Sequence, residues 1–459
     1  MEKGTFDKTE LFETLPIPKA VVKLCAPAAV TTLVMIVYSL SDTFFVGALN
    51  DSYQTAGVTL AAPVLLAFNA INNLFGVGTG SLMSRSLGKK DYNTVKKCSS
   101  YGFYGAIFAS LLFATLCTVF NSGLLNLLGA DNNTAIPTKN YLFWTVTLGT
   151  VPAILNVILG YLVRSEGSSL HAAIGTMSGC ILNIFLDPVF ILPWGFNMGA
   201  SGAGCATFIS NTIATLYFLI IIAYKKKKGV TYISLKPEKG AFSKTIIKEV
   251  CFIGVPASIQ NLLNVTGMTI LNNFTAVYGA AAVSAMGISH KVAMLPMYLS
   301  MGISQGIMPL IGYNFANHNV KRMKEGLLFT MKISLTIIIV VSALFCFFSS
   351  SLTPAFMKDK EVVSIGSKLL VAMSIGQVFL CIDFIGVGVY QACGMGMKSF
   401  FFAIARKIIL EIPALFVLDK LYPLYGLGWA QTFAELVLSI ATATVLVKMF
   451  RRLEKENHQ

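Results

Sequence analysis

Long apolar runs recur from one end of the chain to the other, separated by short polar segments. Each run is longer than the ~20 residues that an α-helix needs to cross the hydrocarbon core of a membrane, and much longer than a typical β-strand. The pattern therefore predicts an all-α integral membrane protein with twelve transmembrane helices. The predicted spans are 17–48, 55–84, 95–120, 136–163, 169–193, 200–224, 245–276, 280–312, 323–350, 362–391, 398–418 and 425–450.

Composition supports a membrane protein. Only 12% of the residues are charged, whereas soluble domains carry about 25%. The first sixteen residues contain both charge signs and no apolar core, so they are predicted to be a cytoplasmic lead-in and not a cleavable signal peptide. Nine cysteines, an odd number without a Cys-x-x-Cys pair, predict neither a disulfide framework nor a metal site.

The basic residues are distributed unevenly between the two sides of the membrane. Most of the 35 Lys and Arg residues fall in loops on the side that holds both termini. Because cytoplasmic loops carry the excess of Lys and Arg, both termini are predicted to be cytoplasmic. The net charge of +14 does not indicate a nucleic-acid partner, since the basic residues stand at helix ends and not in an aromatic-interleaved patch. The opposite side holds Lys139, Lys358, Lys360, Lys368 and Lys420, and Lys291 falls within a span.

The two halves of the chain share landmarks at a nearly constant spacing, which indicates an internal duplication. A basic linker, residues 225–243, begins with the KKKKG segment and divides an N-terminal six-helix lobe, 1–224, from a C-terminal six-helix lobe, 244–459. Each lobe has an even number of spans, so both lobes begin on the same side of the membrane and the repeats are parallel. Parallel repeats around a central cleft are an architecture of secondary transporters. The matching positions are Pro27 and Pro256, Val95 and Val320, Gly149 and Gly376, Gly167 and Gly394, and Gly202 with Gly204 against Gly426 with Gly428.

Acidic residues inside apolar spans are costly and mark functional candidates. Asp42 and Asp187 are predicted in the outer half of the first and fifth spans, with Asn183 one helical turn below Asp187. Thr207, near the start of the sixth span, is predicted at a similar depth. Two carboxylates at low dielectric cannot both stay ionised cheaply, so such a cluster is expected to hold a proton or share a cation.

Four charged residues of the C-terminal half are further candidates. Lys291, Glu411 and Glu435 are predicted near the membrane midplane, as a lysine flanked by two glutamates. Either a structural ion pair or a role in substrate binding or coupling is compatible with that arrangement. Asp383, deeper toward the cytoplasm on the tenth span, is predicted to be isolated.

Other functional classes lack support in the sequence. The four histidines do not have metal-ligand spacing and no P-loop is present, so an ion gradient is a better energy source than ATP. The GISQG segment at Gly302–Gly306 lies inside a predicted helix and not at a strand-to-helix turn, which argues against a nucleophile elbow. The chain is therefore expected to be no enzyme and to use no cofactor or metal beyond a proton or sodium ion.

With these residues in view, the chain resembles the multidrug and toxic compound extrusion (MATE) family, in its bacterial branch. The likeness covers nearly the whole length. The segments that carry it are SDTFFVGAL (Ser41–Leu49), GVGTGSLMSRSLGKKD (Gly76–Asp91), NIFLDPVFI (Asn183–Ile191) and GASGAGCATFIS (Gly199–Ser210).

The resemblance implies an antiporter in the bacterial cell membrane that exports amphipathic, often cationic, compounds in exchange for protons or sodium ions. The chain is expected to function as a monomer. The resemblance also implies the cation-coupling role for Asp42, Asn183, Asp187 and Thr207. Some relatives carry an acid in the seventh helix, where this chain has Gln260, Asn261 and Asn264. That difference weakens the case for a second cation site and for coupling at Asp383.

A lipid-linked oligosaccharide flippase of the same superfamily is the alternative function. A basic central cavity able to hold phosphates would favour it. The charges that the sequence places inside the membrane are mostly acidic, which favours cationic cargo.

Overall fold

The computed structural model of the chain describes residues 10–49, 51–355 and 359–457, apart from the side chains of 355 and 457. The first nine residues of the predicted lead-in lie outside the described part, as does Lys358.

Twelve helical spans follow one another along the described chain, each within a few residues of a predicted span, except that the last continues further. Short helices at Glu10–Thr14, Asn121–Leu127 and Ser349–Leu352 lie outside these spans. The spans are α1 (Ile17–Gly47), α2 (Ser52–Gly88), α3 (Tyr92–Val119), α4 (Ala135–Leu148 and Thr150–Ser165), α5 (Ser169–Ile191), α6 (Gly199–Lys227), α7 (Lys244–Ala276), α8 (Ala280–Ala316), α9 (Val320–Phe347), α10 (Lys360–Ala392), α11 (Gly396–Ile404, Ala405–Glu411 and Ile412–Leu421) and α12 (Tyr425–Asn457).

Ten of these helices are long and apolar enough to cross a membrane, and α4 is an eleventh if its two parts, bent by 49°, count as one span. The remaining span, α11, is helical throughout but carries Arg406, Lys407 and Glu411 in a π-helical turn at its centre. Paired charges in the middle of a membrane helix lower its mean hydropathy without preventing it from crossing.

Helix starts in the two halves are built alike. Asp91 caps α3 by accepting a hydrogen bond from the Thr94 backbone N–H at 3.0 Å, and Asn319 caps α9 by accepting one from Arg322 at 3.1 Å. The residue before each cap, Lys90 and His318, has a positive φ of 58° and 55°. Hydrogen bonds from the Thr94 hydroxyl and backbone lower the pKa of the Asp91 carboxyl below its usual value. The duplication therefore extends to the geometry of the turns.

The described chain forms two compact units. Unit 1 contains Val30–Ser258 and residues 10–14, and unit 2 contains Leu15–Ala29 and residues 259–457. Two helices are therefore divided between the units, α1 after Ala29 and α7 after Ser258. The division into lobes at residues 1–224 and 244–459 remains a prediction from the duplicated sequence.

Equivalent helices occupy the centre of each unit. In unit 1, α4 packs against α2, α3, α5 and α6. In unit 2, α10 packs against α8, α9, α11 and α12. Each is the fourth helix of its half, and the matched residues Gly149 and Gly376 lie on or beside them.

Candidate functional site

Helix α5 places an amide and a carboxylate one turn apart on its buried face. Asn183 and Asp187 are 1% and 0% exposed. With its amide nitrogen turned toward Asp187, Asn183 donates to the two carboxylate oxygens at 2.8 and 3.2 Å, and its oxygen accepts from the Thr207 backbone N–H at 3.1 Å. This orientation satisfies both ends of the amide, whereas the opposite one sets its oxygen against the carboxylate.

Helix α6 contributes a hydroxyl to the same cluster. The Thr207 Oγ1 atom lies 3.3 Å from the Asn183 side-chain amide. The Thr207 side chain also hydrogen-bonds with Tyr38 of α1. Three helices of unit 1 thus meet through polar side chains at this point.

Asp42 is the second carboxylate of the cluster and lies one helical turn after Tyr38 on α1. Its Oδ1 atom is buried and has no hydrogen-bond partner among the described residues. Asp42 interacts electrostatically with Asp187. Tyr141 of α4, 4% exposed, lies within electrostatic range of both acids.

The chemistry of this cluster fits a small monovalent cation. Within the described residues, neither carboxylate forms an ion pair with a Lys or Arg side chain. If both carboxylates were ionised, their charges would repel each other, in surroundings that include an amide, a hydroxyl and phenols. A proton held between the carboxylates, or a cation ligated by these oxygens, relieves that repulsion. In the same described part, no group of three or more His, Cys, Asp or Glu side chains is arranged to hold a metal ion.

The structure thus brings together the four residues that the sequence singled out, Asp42, Asn183, Asp187 and Thr207. It adds two tyrosines that sequence reasoning missed. Tyr38 could have been found from its position one turn from Asp42 on the same helix face. Tyr141 had no such signal, because only the packing of α4 brings it to the acids.

The prediction that Lys291 is the basic residue flanked by Glu411 and Glu435 is wrong, because other basic residues pair with the two glutamates. Lys291 is exposed, whereas Glu435 pairs with Arg406 at 2.6 Å and Glu411 pairs with Lys407 at 2.6 Å. Arg406 and Lys407 were counted among the basic residues on the cytoplasmic side, although they fall inside the predicted span 398–418. They are 5% and 8% exposed. Their side chains point inward because each has a carboxylate partner within unit 2.

Asp383 is not isolated. It is 2% exposed and accepts a hydrogen bond from the Thr442 hydroxyl of α12 at 2.8 Å. It also interacts electrostatically with Glu435, which pairs with Arg406, so that the tenth, eleventh and twelfth spans share one polar network. In unit 2, two buried bases pair with two of the three buried acids. In unit 1, Asp187 has no basic partner within hydrogen-bond distance among the described residues.

Comparison with known proteins identifies relatives of the whole chain. The MatE family model matches twice, at residues 27–189 and 256–417, and the two matches begin at the equivalent prolines Pro27 and Pro256. The multidrug export protein MepA of Staphylococcus aureus (strain NCTC 8325 / PS 47) is 33% identical over 444 residues, 96% of each chain. The protein of the same name from Staphylococcus haemolyticus is 32% identical over 448 residues, also 96% of each chain.

Solved structures share the fold. One, described as the outward-facing conformation of a multidrug resistance MATE family transporter of the MOP superfamily, gives a TM-score of 0.91 at 22% identity and covers 99% of both chains. A MOP superfamily transporter from Pyrococcus furiosus, described as having a binding pocket of reverse polarity, gives a TM-score of 0.87 at 22% identity and covers 98% of this chain and 99% of its own. Two matches to the family model and relatives along almost the full length lead to one conclusion: the chain belongs to the MATE family of membrane transporters.

Proposed function

We propose that this protein is a secondary active antiporter that exports amphipathic organic cations and drugs in exchange for protons or sodium ions. The export function is supported by the similarity to MepA, whose name describes multidrug export. The cationic cargo is supported by the acidic character of the cluster around Asp42 and Asp187.

A single observation carries the ion-coupling part of the proposal. Asp187 is fully buried, and Asn183 holds its carboxylate in place by hydrogen bonds. Asp187 also interacts electrostatically with Asp42, and one carboxylate oxygen of Asp42 is buried without a hydrogen-bond partner among the described residues. A buried carboxylate beside a second, partly buried one is costly unless the two hold a cation. A cation gradient can therefore act on the protein through this cluster.

Coupling follows if drug and cation favour different states of the transporter. In the proposed cycle, the N-terminal and C-terminal lobes rock between inward-open and outward-open forms. The outward-open form loads a cation at Asp42 and Asp187 as the drug leaves. A ligand shifts such an equilibrium only by its difference in affinity between the two states, so competition between drug and cation is sufficient for exchange.

The proposed setting is the bacterial cell membrane, with both termini in the cytoplasm and the monomer as the working unit. The loops on the same side of the membrane as the termini contain most of the Lys and Arg residues, which supports this orientation. A single chain carries both repeats, so no second copy is needed to complete the duplicated architecture.

The test is export of a fluorescent organic cation from proteoliposomes under an imposed proton gradient and, separately, under a sodium gradient. Asp187→Asn removes the buried charge and keeps the size of the side chain, so we expect it to abolish gradient-driven export while the protein folds normally. Asp51→Asn is the matched control. Asp51 caps α2 in the same unit, and asparagine caps a helix as well as aspartate does.

Loss of export in Asp187→Asn with full export in Asp51→Asn would support the antiporter, and the gradient that drives the wild type would identify the ion. Full export by a well-expressed Asp187→Asn protein would refute coupling at this cluster. A wild type that moves no organic cation under either gradient would refute the antiporter and favour the lipid-linked oligosaccharide flippase.

A further inference from the structure

The linker between α6 and α7 is docked on unit 1 through specific hydrogen bonds to α3. The Ser99 hydroxyl accepts from the Ser234 backbone N–H at 2.9 Å, and the Ser100 hydroxyl donates to the Lys236 carbonyl at 2.8 Å. The Tyr104 hydroxyl donates to the Leu235 carbonyl at 3.0 Å. A segment that only connected two helices would not need these contacts, so the linker has a fixed path.

A second set of contacts fixes the start of the linker. Glu166, 1% exposed, accepts from the Thr231 hydroxyl at 2.6 Å and from the Tyr232 backbone N–H at 2.7 Å. The Tyr232 ring stacks on Tyr92 of α3 with centroids 4.0 Å apart. Ile233 and Ser234, 2% and 1% exposed, are buried between these anchors.

The docked linker and the end of α6 carry a group of exposed lysines. We call Lys226, Lys227 and Lys228 at the end of α6, together with Lys236 and Lys239 of the linker, the linker lysines. All five are exposed, and none forms an ion pair with an acid in the described chain.

The nearby acids are engaged elsewhere. Glu238 accepts from the Ser234 hydroxyl at 2.5 Å, and Glu249 pairs with Arg85 at 3.1 Å. Glu166 is buried beneath the linker. A hydroxyl does not neutralise Glu238, so this acid offsets one of the five positive charges. The linker lysines are therefore a net positive surface, carried on a fixed backbone at the ends of membrane-spanning helices.

We propose that the linker lysines form a binding surface for the headgroups of anionic phospholipids. Clusters of four or more basic residues beside a transmembrane helix attract anionic lipids, and fixed lysines lose less conformational freedom on binding than a flexible tail does. The exposed Tyr224 ring, with Lys228 lying 4.4 Å from its centroid, adds an amphipathic side chain suited to the headgroup region. The proposal goes beyond drug export and rests only on the assignment of the linker to a membrane surface.

The experiment measures binding of phosphatidylglycerol to the purified protein in detergent, with phosphatidylcholine as the uncharged comparison, at low and at high salt. The test variant changes all five linker lysines to glutamine. The matched control changes five exposed lysines of unit 2, and so alters the net charge equally: Lys321, Lys332, Lys398, Lys448 and Lys455.

We expect phosphatidylglycerol affinity to fall by about tenfold or more in the test variant and much less in the control. High salt should weaken binding to the wild type, because exposed charges are screened. Equal loss in the two variants, or no loss in either, would overturn the proposal. Because the assay needs no transport, its failure is separate from failure of the antiporter.

A second variant tests the docking itself. Ser99→Ala with Ser100→Ala removes the hydroxyls that hold the linker and leaves every charge in place. We expect a several-fold loss of phosphatidylglycerol affinity, because the lysines are then no longer held in one arrangement. Unchanged phosphatidylglycerol affinity in this variant would overturn the proposal that docking of the linker forms the site.

Discussion

At the scale of single residues, the candidate cation site depends on neutral groups that orient a carboxylate. Asn183 both donates to Asp187 and accepts from Thr207, so the amide fixes the carboxylate relative to α6. The Thr207 hydroxyl joins this network to Tyr38. In low dielectric such a network is strong when every member is satisfied and costly when one is lost.

Thr207→Val removes the hydroxyl and keeps the shape of the side chain. A hydrogen bond in a network around a charged group contributes about 1.5–3 kcal/mol, so we expect cation affinity to fall by about ten- to a hundredfold. The measurement is the dependence of export rate on proton or sodium concentration in proteoliposomes. Thr207→Ser, which keeps the hydroxyl, is the control and should retain most of the affinity. An unchanged ion dependence in Thr207→Val would exclude the hydroxyl from the site.

At the scale of helices, the first half of α7 packs closely along α2 within unit 1. A side chain on Gly254 would collide with the Leu74 carbonyl oxygen, and one on Gly78 would lie 2.5 Å from the Val250 carbonyl oxygen. The Ser258 hydroxyl donates to the Ala70 carbonyl at 2.6 Å. Small residues that let two backbones approach are a general means of packing membrane helices.

Gly254→Ala tests this close approach. The added methyl group has no space beside backbone atoms, so we expect a loss of about 1–3 kcal/mol in the free energy of unfolding. Thermal unfolding of the purified protein in detergent is the measurement. Gly287→Ala on α8 is the control, because nothing lies within 4 Å of a side chain added there. It should be neutral or stabilise the helix by up to about 1 kcal/mol. Equal unfolding temperatures for both variants would contradict the packing argument.

At the scale of the whole molecule, duplication and charge distribution predict one orientation for both halves. Six spans in each half return the chain to the side on which it began. The basic residues beside the linker and beside α12 share that side in the twelve-span topology. The lysine-rich linker would then face the cytoplasm.

Reporter fusions test this orientation in cells. Alkaline phosphatase needs disulfides to be active and works only outside the cytoplasm, so a fusion after Leu128 should be active and one after Lys90 inactive. Green fluorescent protein fused after the final residue should fluoresce. Phosphatase activity with the reverse pattern at Leu128 and Lys90 would show that the chain is inverted, and the linker lysines would then lie on the outer surface.

The sequence by itself determined the number and order of the helices, because the length of each apolar run and the positions of polar breaks are local properties. It also determined the duplication, through prolines and glycines at equivalent positions. It led to Asp42, Asn183, Asp187 and Thr207, since an acid in an apolar helix stands out by itself and its depth follows from the helical rise.

Only the tertiary structure decided which side chains meet. Arg406 and Lys407 fall inside the predicted span 398–418, but the sequence did not show their partners. Helix packing buries them against Glu435 and Glu411. Tyr141 joins the acids of unit 1, and Ser100 holds the linker, across separations that no local pattern encodes. A pattern gives the direction and depth of a side chain on its own helix, but its partner is set by the packing of helices distant in the chain.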